Sequence, residues 1–182
     1  MNRTPLISTP RLETYKKYTS DPMKAIELHN MTMQVGSSLM AVIALIELGL
    51  RNKVHDQIFR DFGVEDWMLN PPEKIRFCQT EKRLITIAKK HARKAMYSKL
   101  SHKDKKALDE RIYPIGVPAG IKHEILSRKR QETFEVNQGQ IIAQTTILFW
   151  KRLFSKDYEE MLWRPSLRNI FPLKHIRRSD VS

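Results

Sequence analysis

The chain has 182 residues and carries 33 Lys or Arg against 20 Asp or Glu, which gives a formal net charge of +13 and a pI near 10.0. This length buries a hydrophobic core without disulfides or a structural metal, and the single cysteine, Cys78, excludes a disulfide framework and a cysteine-rich zinc site. The charge indicates a polyanionic partner, with nucleic acid ahead of an anionic membrane surface or an acidic protein.

The six histidines are scattered singly, with no HExxH or CxxC spacing, so the sequence predicts neither a metal site nor a cofactor. The amino terminus has no signal-peptide pattern, and a single cysteine suits the reducing cytoplasm. The apolar run that begins at Leu39 is shorter than the roughly 20 residues that a bilayer-spanning helix needs. We therefore expect a buried core helix, a cytoplasmic location and no membrane partner.

The first helix is predicted from about residue 22, after an irregular amino-terminal segment over residues 1–20. Asp21 is a good N-cap residue, and Pro22 suits the first helical position. The helical pattern continues to about Val35. The Gly-Ser-Ser sequence at residues 36–38 then either breaks the helix or only bends it.

The second predicted helix runs from Leu39 to Gly63 and holds a polar triplet, Glu47, Arg51 and His55. These residues are four apart, so they advance by about 40° per step and share one side of the helix. The same sector holds Met40, Val54, Ile58 and Phe62, which is the side expected to face the core. The triplet is therefore either a buried Glu–Arg pair with a boundary histidine or a functional site.

Basic residues concentrate further along the chain, after a connection that Trp67 is expected to anchor to the core. Residues 80–97 form a basic amphipathic pattern, and residues 81–106 contain ten Lys or Arg against two acids. Such a cluster favours contact with an RNA or DNA backbone. The candidate RNA-binding residues are Lys89, Lys90, Arg93, Lys94, Arg128, Lys129 and Arg130.

The rest of the pattern is also helical. A short helix is predicted from Ser101, and residues 112–139 are expected to form a loop or a mobile charged insertion, although the charged part could be helical. Residues 140–154 predict a second buried helix, and a further short helix is expected to end at Pro165. No segment alternates as a strand does, so the sequence predicts an all-α fold with one domain over residues 1–182.

Three stretches together resemble the Abi-like (abortive infection) proteins of the HEPN superfamily. They are AIELHNMTMQVGSSLMAVIALIELGLRNKVHDQI, GQIIAQTTILFWKRLF and DYEEMLWRPSLRNIFP. The first is similar to a helix that ends in Glu-x-x-Leu-Arg-Asn, the second to a Gly-x-Val-Val-Ala…Phe-Trp helix, and the third to a Tyr…Leu-Trp…Phe-Pro segment. Their order and separation also match, and the resemblance covers roughly residues 22–172.

The resemblance implies a HEPN-like helical bundle that forms a homodimer and acts as a metal-independent endoribonuclease or toxin in phage defence. An antitoxin or a guide-like RNA would be a further partner. In that superfamily an Arg and a His, separated by about four to six residues on one helix, meet the same residues of the dimer partner in a cleft. The His assists attack of the ribose 2′-hydroxyl, and the Arg stabilises charge on the phosphoryl oxygens.

The nuclease motif of Abi-like proteins, Arg-Asn-x-x-x-His, follows the Leu-Trp…Phe-Pro segment, and this sequence ends at Ser182 near that point. Three explanations for the missing motif are open: the chain is truncated, it is a short form without activity, or it uses other residues. The nearest local match is Arg51, Asn52 and His55, with Glu47 orienting Arg51. A second match, Arg168, Asn169 and His175, is interrupted by Pro172, which would break its helix.

Two functions follow from these observations. The first is a HEPN-type endoribonuclease or toxin-like protein whose catalytic residues are Arg51, His55, Asn52 and Glu47. The alternative is a non-catalytic RNA-binding or regulatory module that keeps the helical scaffold and the basic residues.

Overall fold

The computed structural model describes residues 7–172 and 177–181, and all regular secondary structure in these ranges is helical. The all-α prediction is therefore confirmed. The sequence predicts one domain, whereas the structure divides into two compact units, Met1–Gly49 and Leu50–Ser182. His175, part of the second Arg–His match, lies outside the described residues.

The described part of the chain has seven α-helices: α1 Thr9–Lys16, α2 Pro22–Phe62, α3 Gln79–Ser98, α4 His102–Ile112, α5 His123–Glu132, α6 Gln138–Ile142 and α7 Ile147–Leu153. Short 3-10 turns at Lys156–Tyr158, Leu167–Ile170 and Arg178–Asp180 and a π-helical turn at Glu159–Trp163 complete the described chain. The irregular segment predicted over residues 1–20 contains α1, because Pro10 is well placed in a first helical turn. The charged part of residues 112–139 is helical, as α5.

Helix α2 is continuous over 41 residues. It begins as predicted, because the Asp21 carboxylate accepts the backbone N–H of Met23 at 2.8 Å. The Gly-Ser-Ser sequence at residues 36–38 does not interrupt it, and the Ser37 hydroxyl donates back to the Gln34 carbonyl. Gly63 has a φ of 70° and ends the helix, with its N–H donating to Phe59 at 2.8 Å.

The apolar run of α2 is not buried, so the prediction of a core helix is wrong between Leu39 and Leu48. Its large apolar residues are exposed, namely Leu39, Met40, Val42, Ile43, Leu45, Ile46 and Leu48. Only Ala25 and His29 are buried among the described residues of the first unit. By length and composition this helix could cross a membrane, with a mean hydropathy of 1.7 over 18 residues. The criterion rests on length and composition alone, and no residue of that 18-residue window is buried.

The second unit has an aromatic core, and Trp67 is fully buried in it as predicted. The Trp67 ring lies 6.1 Å from Phe77, 6.4 Å from Phe149 and 6.4 Å from Trp150 between ring centroids. Val54, in the second half of α2, is completely buried in the same cluster. The segment between α2 and α3 is thus held by its tryptophan.

The helix predicted over residues 140–154 is two helices, α6 and α7, joined by a turn. Thr145 makes this turn, because its hydroxyl donates to the Ile142 carbonyl at 2.7 Å and accepts the indole N–H of Trp150 at 2.9 Å. A threonine side chain that bonds to nearby backbone competes with helical hydrogen bonds. The turn still allows Phe149 and Trp150 to be fully buried.

A buried ion pair joins the start of α3 to the end of α7. Glu81 has no exposed surface, and one of its carboxylate oxygens accepts a hydrogen bond from Arg152 Nε. That hydrogen bond raises the pKa of Arg152. Burial raises the pKa of the neighbouring Tyr158 hydroxyl, which accepts the backbone N–H of Cys78 at 3.1 Å. The basic helix α3 therefore carries a carboxylate inside the core.

Candidate nucleic-acid interface

Arg51 lies at the end of α6. Its Nη1 donates to the carbonyls of Ile142 and Ala143, at 3.4 and 3.5 Å. A cationic side chain that meets the last carbonyls of a helix stabilises that helix end. Asn52, the next residue of α2, is exposed, and the side chain of Glu47 is half-buried. The contacts of Arg51 within the second unit are thus those of a link between α2 and α6.

His55 is held by Trp67 and Gln138. The Trp67 indole N–H lies 3.1 Å from His55 Nδ1, and Gln138 Nε2 lies 3.4 Å from the same atom. An indole nitrogen can only donate, so His55 Nδ1 is the acceptor and the neutral ring carries its hydrogen on Nε2. Neither ring nitrogen of this neutral form has a lone pair available to a substrate hydroxyl.

The cavity beside His55 has a volume of about 610 Å³ and is also lined by Glu65 and Asp66. Two carboxylates next to the imidazole oppose the approach of a phosphate, because like charges repel. Arg51 is not among the described residues that line this cavity. Of Arg51 and His55, only His55 lines this cavity.

We expect His55→Leu to lower the free energy of unfolding by about 1–3 kcal/mol, because it leaves the Trp67 N–H buried without its acceptor. Urea unfolding followed by tryptophan fluorescence measures the loss. His55→Asn is the matched control, since its carbonyl oxygen replaces Nδ1 as an acceptor and should recover most of the loss. Equal losses in the two variants would contradict a role for this hydrogen bond.

The basic residues of α3 and α5 define a different cavity, here called the α3–α5 cavity. Its volume is about 270 Å³, and its lining includes four cationic side chains, Lys89, Lys90, Arg93 and Arg128. Arg93 is positioned by a hydrogen bond of 2.9 Å from its Nε to the Phe134 carbonyl. Four of the seven predicted RNA-binding residues are thus brought together.

One acid, Glu132, also lines the α3–α5 cavity, and it lies 3.9 Å from Arg128 in an exposed pair. Such exposed pairs contribute little and are screened by salt. The cations therefore outnumber the acid, and the cavity favours an anionic ligand. Thr86 and Gln131 add polar groups that the sequence analysis did not single out. Their spacing from Lys89, Lys90 and Arg128 is the signal that could have found them.

The other three predicted RNA-binding residues lie elsewhere. Lys94 and Lys129 are exposed and do not line this cavity. Arg130 is only 12% exposed, and its guanidinium donates to the Asp109 carboxylate and to the Tyr97 hydroxyl. The hydrogen bond that Arg130 donates to Asp109 raises the pKa of Arg130. Arg130 thus joins α5 to α3 and α4 through its side chain.

The described residues hold no group of three or more His, Cys, Asp or Glu side chains that could bind a metal ion. The fold and this interface define a class: an all-α protein with a cationic cavity between two helices. Comparison with known proteins found no family model that matches the chain, and no curated protein or solved structure that does. The resemblance to Abi-like proteins therefore stays an expectation.

Proposed function

We propose that this chain is a non-catalytic RNA-binding module of the Abi-like, HEPN kind. The observation that carries the proposal is the convergence of Lys89, Lys90, Arg93 and Arg128 on the α3–α5 cavity. Cations held around one concavity neutralise neighbouring phosphates and release their counterions, which is the main source of affinity for a nucleic-acid backbone. The net charge of +13 adds long-range attraction for the same partner.

An anionic membrane is a weaker partner for this surface. A membrane-surface helix must offer an apolar face to the lipid. The apolar face of α3 is instead packed inside the protein, with Ile85, Ala88 and Ala92 all buried. The cations of α3 therefore have no apolar face beside them that could enter a bilayer.

The contacts of Arg51 and His55 favour structural roles over catalysis. Arg51 meets carbonyl oxygens of α6, and His55 Nδ1 is occupied by the Trp67 N–H. Asn52 and Glu47, the other two residues of that catalytic hypothesis, are not among the described residues that line the cavity beside His55. Metal-independent RNA cleavage, a homodimer and an antitoxin or guide-like RNA partner stay predictions from the resemblance. A cytoplasmic location stays a prediction from the composition and the amino terminus.

The proposal is tested with a variant that neutralises three cations, Lys89→Gln, Lys90→Gln and Arg128→Gln. Each phosphate contact contributes about 0.7 to the salt slope on single-stranded RNA. The slope should therefore fall by about 2, and affinity at about 0.1 M salt should fall about 100-fold. Fluorescence anisotropy with a labelled single-stranded RNA in EDTA, over about 50 to 200 mM salt, measures both.

The matched control neutralises three exposed lysines away from the cavity, Lys53→Gln, Lys74→Gln and Lys156→Gln. It removes the same net charge, so it separates a local site from general attraction. Equal losses in the two triple variants would overturn the proposal. The same samples, run on a gel, would show whether RNA is cleaved without metal, and His55→Asn would show whether His55 takes part.

A further inference from the structure

A second cationic cavity lies where the end of α3 meets α4 and α5, and it is here called the α4–α5 cavity. Its volume is about 460 Å³, and His102, Lys105, Lys106 and His123 line it. These four residues supply ammonium and imidazole N–H donors, which suit the oxygens of a phosphate. The function proposed above does not use any of them.

The one acid of this cavity is already neutralised. Asp109 accepts two hydrogen bonds from Arg130, one of them at 2.6 Å from Nε. The ammonium of Lys105 lies 5.0 Å from the centroid of the Tyr97 ring, where it makes a cation–π contact and borders the cavity. The charges of Lys105 and Lys106 therefore remain for an anion.

The two cavities lie along one stripe of α3. Lys89, Lys90 and Arg93 border the α3–α5 cavity, and Tyr97 borders the α4–α5 cavity. Arg93 and Tyr97 follow Lys90 at steps of three and four residues, so these three positions share one side of the helix. From Lys90 to Tyr97 the helix rises by about 10 Å at about 1.5 Å per residue.

Helix α5 lies between the two cavities. His123, Leu126 and Arg130 line the α4–α5 cavity, whereas Arg128, Gln131 and Glu132 line the α3–α5 cavity. At 100° per residue the two groups point about 160° apart, which places the cavities on opposite sides of α5. A ligand that fills both must cross this helix, whose diameter with side chains is about 10–12 Å.

We propose that the α4–α5 cavity is a second phosphate-binding site and that a single RNA strand occupies both cavities by crossing α5. This inference rests on the proposed RNA-binding function and specifies its footprint. A strand held at two points gains affinity, because the second contact becomes intramolecular once the first has formed. A dinucleoside monophosphate has a single phosphodiester and can fill only one cavity at a time.

The test compares Lys105→Gln/Lys106→Gln with Lys89→Gln/Lys90→Gln, and uses Lys53→Gln/Lys74→Gln as the charge-matched control. Each cavity variant removes two contacts, so affinity for a single-stranded RNA of about 12 nucleotides should fall about 25-fold at about 0.1 M salt. The salt slope should fall by about 1.4 in both. The control should keep the parental slope.

Length dependence tests the crossing itself. The gain in affinity from a dinucleoside monophosphate to the longer RNA should shrink in both cavity variants, because each retains only one holding point. Lys106→Gln/His123→Gln is the second variant, since it leaves the Lys105–Tyr97 contact intact and should give the same shrinkage. Circular dichroism melting confirms that each variant is folded.

Two outcomes would overturn the inference and are distinct from failure of the proposed function. Binding that is lost in Lys89→Gln/Lys90→Gln but unchanged in Lys105→Gln/Lys106→Gln leaves the α3–α5 cavity as the only site. If Lys105→Gln/Lys106→Gln loses affinity equally for the dinucleoside monophosphate and for the longer RNA, then no single strand occupies both cavities at once. If no cavity variant differs from the control, the RNA-binding function fails as well, and an acidic protein becomes the partner to test.

Discussion

Replacing Arg152 by methionine is expected to lower the free energy of unfolding by about 3–5 kcal/mol, because it leaves the fully buried carboxylate of Glu81 without its cation. The second carboxylate oxygen of Glu81 is also buried and has no hydrogen-bond partner among the described residues. Arg152 is therefore the main compensation for burying this charge. Since a domain is stable by only about 5–15 kcal/mol, urea unfolding should show a large shift of the midpoint.

The loss of stability should differ between the two single variants of this ion pair, and combining the two substitutions should restore most of it. In Glu81→Leu the unpaired group is Arg152, whose side chain is 31% exposed and can reach water, so the loss should be smaller than in Arg152→Met. The double variant Glu81→Leu/Arg152→Met should recover most of the stability, because it buries no charge. A double variant as unstable as Arg152→Met would show that packing, and not the unpaired carboxylate, explains the loss.

Local signals predicted much of the helical structure. The helix expected over residues 80–97 is α3, and the one expected from Ser101 is α4, where Ser101 and Asp104 form a capping box. Gly63 ends α2 because it adopts a positive φ. Each of these features depends on residues within about one helical turn, so the sequence displays it directly.

Features that depend on distant residues could not be predicted in this way. In the sequence Glu81 is one of two acids within the strongly basic residues 81–106 and looks like an exposed residue, yet its partner Arg152 lies 71 positions further along. The turn that separates α6 from α7 follows from the hydrogen bond between Thr145 and Trp150. Periodicity shows which residues share a helix side, but it does not show which side finds a partner.

The same distinction explains what the sequence predicted of the candidate site. Lys89, Lys90 and Arg93 are neighbours on α3, so their grouping was visible from spacing alone. Arg128 joins them only because α5 packs against α3. Arg130, two residues later on the same helix, turns to Asp109. Charge density along the chain identified the region, and helix packing selected which cations line a cavity.

Trp67→Ala is expected to cost about 3–5 kcal/mol of unfolding free energy, because it removes a fully buried tryptophan from the centre of an aromatic cluster. Trp67 contacts Phe77, Phe149 and Trp150 through its ring and His55 through its N–H. The loss of free energy has two parts, the hydrophobic stabilisation of the buried ring and the cost of the cavity that its removal leaves. Thermal melting and urea unfolding both measure it.

Trp67→Phe separates the two contributions, because it keeps an aromatic ring and removes the N–H that His55 accepts. Its loss of unfolding free energy should be smaller than that of Trp67→Ala. It should be close to the loss in His55→Leu, because both variants remove the same hydrogen bond. Tyr18→Ala is the exposed aromatic control; Tyr18 is 79% exposed and should change stability by no more than about 0.5 kcal/mol. If Trp67→Ala were as mild as Tyr18→Ala, the segment between α2 and α3 would not depend on this tryptophan. The hydrogen bond between Trp67 and His55 would then be no evidence for a structural role of His55.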